Sequence, residues 1–384
     1  MHFQQTAGNM NSESAAPYPS VKISRPALAH NLRLLRRINQ GSKILIPVKA
    51  NAYGCGIHVL LPFFQDAQVD YLGVANPFEG RILREGGWDK PILNLGGFFP
   101  EAIDLFSDYQ IEISLTDLWQ IDALQSHGLK HDCRYQIHIK LDLGMGRIGI
   151  RDSQIDEMIN RLKNASHLKV KGIFTHFPSA DRPGEQKTLE QIQSFEKIAS
   201  KIIQHLSLKR ENVILHTANS YATINYPESH YDMIRPGILF YGYFHSVADK
   251  KELGKKFPFR GSVKISARPI SHRNLPAGAG VSYGSIFTVP HDDFKVGVFP
   301  LGYADGIPRA LSGNNIYFGE YPLLGRVTMD QIILGGDFND TEYDLLGGKG
   351  LQIEEAGEFS ASFSYEILCK LGNRLRRRLV DEDF

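Results

Sequence analysis

With 384 residues, the chain is too long for one ordinary compact core, so a barrel-sized domain plus a smaller one is expected. Hydrophobic content of 42% and charged content of 22% fit a soluble globular protein, and a net charge of +1 excludes the strong bias of a nucleic-acid or membrane-surface binder. No apolar run approaches a bilayer span, and Cys55, Cys133 and Cys369 form neither a disulfide framework nor a zinc spacing; no metal is expected, and a reducing cytoplasm is the default location.

In chain order, residues 1–20 are polar and lack an apolar core, which predicts a flexible N-terminal tail. Val21–Ser24 reads as a first strand that is free to pair with a later domain. From residue 43 to 242 one unit recurs: a short apolar strand, a polar or Gly-rich junction, then a helix-patterned segment. The predicted strands are Lys43–Val48, Tyr71–Ala75, Pro91–Leu95, Ile111–Leu115, Tyr135–Leu141, Val170–Thr175, Val213–Leu215 and Ile238–Tyr241. Leu189, Ile192, Phe195, Ala199, Ile202 and Leu206 recur at helical spacing between two of them. Eight strands alternating with helices predict an α/β fold, a (β/α)8 TIM-like barrel over residues 21–245, and the lack of GxGxxG after the first strand weakens a dinucleotide fold.

Beyond residue 245 the rhythm changes. Ser262–Ile270, Lys295–Leu301 and Tyr321–Val327 are strand-like and closely spaced, and one helix is expected near Tyr365–Leu371. Residues 246–384 therefore read as a mostly β C-terminal domain. The basic cluster Arg374–Arg378 precedes an acidic tail and reads as a solvated end.

Chemistry in such barrels gathers at the carboxyl ends of strands. Lys49 closes the first barrel strand, where poor hydration lowers an amine's pKa toward that of a nucleophilic or Schiff-base lysine. Alone, it reads equally as a lysine snorkelling to water. Its company is more telling: Asp142–Arg147 follow the fifth strand, His176 the sixth, and His216, Asn219 and Ser220 the seventh, while Arg235 comes just before the eighth.

The run Val48-Lys-Ala-Asn-Ala-Tyr-Gly54 resembles the pyridoxal-phosphate lysine motif of alanine racemases. Lys140-Leu-Asp-Leu-Gly-Met-Gly-Arg-Ile-Gly149, Thr175-His-Phe177, His216-Thr-Ala-Asn-Ser220 and Arg235-Pro-Gly237 follow in order. The second domain adds Gly280-Val-Ser-Tyr-Gly284, Gly302-Tyr-Ala-Asp-Gly-Ile-Pro-Arg309 and Gly325-Arg-Val-Thr-Met-Asp-Gln331.

That resemblance implies pyridoxal 5'-phosphate bound covalently through Lys49, and two catalytic bases. Lys49 would serve the D-amino acid, and Tyr283, on the opposite face, the L-amino acid. It implies that His176 hydrogen-bonds Tyr283, and that Arg235, oriented by His216, faces the pyridine nitrogen. It implies that Arg147 contacts the cofactor ring oxygen and the substrate carboxylate, beside Lys140, a lysine carbamylated in many relatives. Tyr53, Ser220, Gly237 and Ile238, with Asn219, would hold the phosphate end, and Met329 and Tyr303 the substrate. Asp305, Asp181 and Arg326 would line the approach. Similar enzymes take the tyrosine from the second subunit of a head-to-tail homodimer and supply D-alanine for peptidoglycan; no nucleic acid or membrane partner is implied.

Two positions depart from the family pattern. Cys55 stands where histidine is usual and reads as an apolar filler. Asn373 stands where many relatives carry a phosphate-contacting tyrosine, so a pocket that admits serine, or a broader set of small amino acids, is the alternative to alanine alone. A different pyridoxal-phosphate barrel enzyme would need other second-domain residues than Gly280–Gly284.

Overall fold

The computed structural model describes residues 18–39 and 41–384. The expected tail falls almost wholly on residues 1–17, outside the described residues. By its internal contacts the chain divides into two units. One comprises Lys22–Val263, Ile353–Leu371 and Arg377–Phe384; the other holds, of the described residues, 18–21, Lys264–Gln352 and Gly372–Arg376. The first strand, β1 (Ser20–Ser24), is thus divided between the two.

The larger unit is built on eight parallel strands, in the spatial order β8-β7-β6-β5-β4-β3-β2-β9. They are β2 (Lys43–Pro47), β3 (Tyr71–Val74), β4 (Ile92–Asn94), β5 (Glu112–Leu115), β6 (Tyr135–Lys140), β7 (Leu168–Phe174), β8 (Ile214–His216) and β9 (Met233–Ile234). Closure between β8 and β9 is completed by Asp232 N to Leu215 O at 3.0 Å and Arg235 N to Ala218 O at 2.9 Å. The strands are short and largely buried, as parallel strands covered by helices on the outside require. The helices start where the sequence supplies caps. Ser24 Oγ accepts from Ala27 N at 3.1 Å, and Asn76 Oδ1 from Glu79 N at 3.1 Å.

One strand assignment is corrected. Ile238–Tyr241, expected as the eighth strand, is a short buried helix, and the eighth strand is the two-residue β9 before it. A short apolar run reads alike as buried strand or buried helix, and a strand of two residues is too brief to show a period. The consequence is functional: Arg235 follows the eighth strand, at its carboxyl end, instead of preceding it.

In the smaller unit, β10 (Val263–Ala267) pairs antiparallel with β18 (Tyr343–Leu346). A three-stranded antiparallel sheet joins β11 (Ser271–Leu275), β14 (Phe294–Phe299) and β17 (Ile332–Gly335). Two small ladders pair β12 (Gly280–Val281) with β13 (Phe287–Thr288) and β15 (Tyr317–Phe318) with β16 (Tyr321–Pro322). The last strand, β19 (Arg376–Val380), is counted with the larger unit from Arg377 onward. Val281, Val289, Val296 and Leu324 form a buried cluster. The strand expected over Tyr321–Val327 is only β16 at its start. Beyond residue 245, three α-helices occur where one was expected: Val247–Leu253, Ile353–Phe359 and Ser364–Cys369. All three are counted with the larger unit.

Candidate active site

Val48 N bonds Gly73 O at 2.8 Å, so Lys49 leaves the barrel directly at the carboxyl end of β2. The next residues form a left-handed turn: Ala50, Asn51, Ala52 and Tyr53 have φ of +54°, +56°, +55° and +51°. The tightest part of this turn is made without glycine. Left-handed backbone costs an L-residue about 1–2 kcal/mol, so the surroundings must impose it. The Glu79 carboxylate accepts from Ala50 N and Ala75 N, both at 2.8 Å. Asn51 Oδ1 accepts from Ile57 N at 2.9 Å, and Arg377 Nε donates to Gly54 O at 2.7 Å. A side chain at Gly54 would strike Leu368 O, so glycine there lets the helix Ser364–Cys369 lie against the turn. The turn brings Lys49 and Tyr53 into the lining of one cavity of about 710 Å³.

That cavity gathers Lys49, Tyr53, Lys140, Arg147, His176, Asn219, Ser220, Arg235 and Gly237. Of the predicted residues in this unit, His216 lies behind Arg235, and Ile238 opens the short helix after Gly237. Positive charge dominates, and it shapes the acid–base chemistry. Surrounding protein and the Arg147 cation lower the pKa of Lys49, although solvent reaches it through the cavity. Burial, then Arg147, Arg235 and Lys49, bring Lys140 down to about 7. Burial and the cations Arg235, Arg147, Lys140 and Lys49 push His176 down to about 3, so it is neutral near pH 7. The Lys140 amine lies 3.5 Å from Leu95 O and 5.5 Å from the centre of the Phe174 ring. An uncharged amine beside an arginine is suited to carrying an acidic modification.

Arg235 is buried and held on three sides. Its Nη1 donates to His216 Nδ1 at 3.0 Å and His216 O at 2.8 Å; its Nη2 donates to Thr175 O at 2.7 Å and Thr217 O at 3.1 Å. Both terminal nitrogens are thereby engaged, and Nε–H is left as the donor for whatever enters the cavity.

The opposite end is lined by hydroxyl and amide donors. Tyr53 is buried, and burial raises its phenol, which stays protonated as a donor. Any side chain at position 237 would sit 2.7 Å from the Tyr53 hydroxyl, so glycine keeps this space open. Ser220 opens the helix Ser220–Asn225, and Gly237 precedes the helix Ile238–Tyr241, whose first N–H groups have no intrahelical acceptor. Hydroxyls and helix-start amides around a space kept clear by glycine suit a phosphate. The Asn219 side chain is engaged elsewhere: Oδ1 accepts from Ala222 N at 2.9 Å and Nδ2 donates to Phe177 O at 3.2 Å. Its part is to shape the helix start.

Sequence reasoning missed Tyr365 and Glu79. Tyr365 lines the cavity and hydrogen-bonds Ser220, adding a hydroxyl at the phosphate end. The expected helix near Tyr365–Leu371 was the available signal; Asn373, read from the sequence as the departure at this end, is an exposed residue of the other unit. Cys55 is fully buried with its thiol pushed up by burial, as a filler would be. Asp181 is exposed.

In the smaller unit, Tyr283 sits between β12 and β13 and is 73% exposed. Ser282 before it has φ +60° and ψ −173°, a conformation that disfavours any side chain, and its Oγ bonds Arg326 O at 2.8 Å. Met329 and Tyr303 are also exposed. Asp305 is buried: it pairs with Arg374 at 2.6 Å and accepts from Gly302 N at 2.8 Å, so its role is to hold the loop that carries Tyr303. Among the described residues Asp104, His127 and His131 form a group with metal-ligand spacing; His127 Nε2 lies 2.8 Å from Asp104 Oδ1.

Residues 23–245 match the family model described as alanine racemase, N-terminal domain, and residues 262–379 the one for alanine racemase, C-terminal domain. An alanine racemase of Nostoc sp. is 33% identical over 372 residues, covering 93% of this chain and 94% of the relative. A crystal structure of alanine racemase from D-cycloserine-producing Streptomyces lavendulae superposes with a TM-score of 0.87 at 27% identity, covering 96% of this chain and 98% of that one. At 24% identity, a Bartonella henselae alanine racemase with covalently bound pyridoxal phosphate shares the fold, with a TM-score of 0.83 over 95% of this chain and 100% of that one.

Proposed function

The chain belongs to the alanine racemase family, and we propose that it interconverts L- and D-alanine with pyridoxal phosphate held on Lys49. The observation that carries this reading is a single cavity that offers a lysine of lowered pKa, an arginine with one free donor, and a hydroxyl-and-amide cup. When bound there, pyridoxal phosphate withdraws electrons from the substrate α-carbon and acidifies its proton.

The protein's own groups do the rest. Tyr53, Ser220 and Tyr365 would donate hydroxyls to the phosphate, with the amides of Gly237 and Ile238. Arg235 would offer Nε–H to the ring nitrogen; as a protonated donor it would leave that nitrogen unprotonated and moderate electron withdrawal. Arg147 binds the substrate carboxylate, aided by Met329 and Tyr303. Lys49 Nζ moves the α-proton on one face, where its lowered pKa makes it a usable base. Racemisation requires a second group on the opposite face, and Tyr283 fills that role with His176, neutral near pH 7, as its hydrogen-bond partner. A tyrosine this exposed fits delivery into a second copy's cavity, so the working form is a homodimer in which each site takes the partner subunit's Tyr283. The reaction belongs in the cytoplasm, where D-alanine feeds peptidoglycan synthesis.

The test is α-hydrogen exchange in deuterated water, followed by NMR with each enantiomer. The wild type exchanges both. Tyr283→Phe should lose L-alanine exchange by about 10²- to 10⁴-fold and D-alanine exchange far less; equal losses on both sides would refute the two-base assignment.

A further inference from the structure

Behind Arg235 a line of buried polar groups runs through the barrel wall. His216 Nε2 lies 2.8 Å from His138 Nδ1, and His138 Nε2 lies 2.8 Å from Glu112 Oε2. All three are buried, and Tyr71 adds a side-chain hydrogen bond to Glu112. His138 stands on β6 and His216 on β8, so their contact must cross the intervening strand β7. It crosses at Gly172, where a side chain would lie 2.3 Å from His138 Nδ1. The pairing of β6 with β7 shifts register between Ile137 and His138, leaving Lys171 as an extra residue on β7 just before Gly172, as bulges that re-aim a side chain do. A glycine gap, a bulge and two short bonds converge on one path.

The direction of every bond follows from one fact: a guanidinium can only donate. His216 Nδ1 must therefore accept from Arg235, which puts the His216 proton on Nε2. That proton goes to His138 Nδ1, so His138 carries its own on Nε2 and gives it to Glu112. A protonated Glu112 donating to His138 would reverse both rings and set two donors face to face at Arg235. Both histidines are thus neutral with fixed tautomers, and Glu112 is a carboxylate. Burial and the Arg235 cation press His216 the same way.

We propose that His138 and Glu112 are positioning residues for Arg235: the Glu112 carboxylate, acting through the two imidazoles, polarises His216 against the guanidinium and tempers how strongly Arg235 Nε–H pulls on the ring nitrogen of the cofactor. Hydrogen bonds in such a chain reinforce one another in a low-dielectric interior. The inference rests on the proposed racemase reading for its chemical consequence, but the tautomers stand apart from it.

The experiment uses full-length holoenzyme. In ring-¹⁵N-labelled protein, His138 and His216 should each show an unprotonated Nδ1 and a protonated Nε2 from pH 6 to 9; a protonated Nδ1 on either ring would overturn the proposal. In Glu112→Gln, which keeps shape and removes charge, Arg235 should pull harder on the ring nitrogen. Return of the proton to the cofactor instead of the α-carbon, followed by hydrolysis that leaves the amino group on the cofactor, would release pyruvate; that release per racemisation should rise several-fold, and kcat should fall about tenfold with KM within about twofold of wild type. His138→Leu breaks the line at a second point and should shift both in the same direction, which guards against a folding defect in one variant. A lowered melting temperature with unchanged pyruvate ratio and kcat in both variants would reduce the line to scaffolding and refute the proposal. Failure of the wild type to interconvert the enantiomers would instead refute the racemase reading and leave the ¹⁵N result standing.

Discussion

Lys49 and Tyr283 each adjoin a non-glycine residue forced to positive φ, Ala50 at +54° and Ser282 at +60°, and each of those backbones is pinned by side-chain hydrogen bonds. Their surroundings differ. The lysine opens on a cavity already furnished with cations and donors, while the tyrosine stands 73% exposed on a loop between two short strands. Strain at both places is what a group held in a fixed direction requires. The contrast teaches that one half of the proposed site is complete within a unit and the other half is presented outward.

The largest effect expected from breaking the furnished half is that of Lys49→Ala. Activity should fall by at least about 10³-fold, and the visible absorption of covalently bound cofactor should disappear; retained absorption with activity intact would contradict the role of Lys49. A smaller loss is expected at Lys140, whose amine near pKa 7 is reactive as a free base. With ¹³C-bicarbonate, a carbamate signal should appear in the wild type and vanish in Lys140→Ala, whose KM for alanine should rise about tenfold as Arg147 loses its anion. No signal in the wild type would leave Lys140 a bare amine.

The smallest effect is on stability. His176 is held near pKa 3 and His216 well below the ordinary histidine value, so between those values and about 6.5 the unfolded chain binds more protons than the folded one. Stability from this source is complete above about pH 6.5 and declines as pH falls toward 3. Denaturant midpoints should follow that slope, and His176→Gln should flatten it; an identical slope in the variant would argue against a neutral His176.

Much of the barrel was legible because its strands are apolar runs punctuated by polar ends, several of which line one cavity. Lys49, Arg147, His176, Ser220 and Arg235 were readable that way, Lys140 only through the family resemblance, and the structure gathers them in one cavity. What escaped was set by three-dimensional constraint. The left-handed turn after Lys49 is imposed by Glu79, Asn51 and Arg377, and no local propensity announces it. The two-residue β9 was hidden beside an apolar helix of strand-like composition. Tyr365 reaches the cavity only because a helix from far along the chain lies against Gly54. Glu112 and His138 looked like ordinary strand residues, since the glycine that lets their line pass lies on a different strand.

The contrast between a furnished lysine and an outward tyrosine comes to its sharpest test in mixed dimers. Lys49→Ala and Tyr283→Phe, each nearly inactive alone, should be mixed at equal concentration under conditions that exchange subunits. If each site draws Lys49 from one subunit and Tyr283 from the other, every hybrid dimer holds one intact site. Random pairing would then restore roughly a quarter of wild-type activity. Activity no greater than the sum of the two variants, with hybrids shown to have formed, would contradict the shared site.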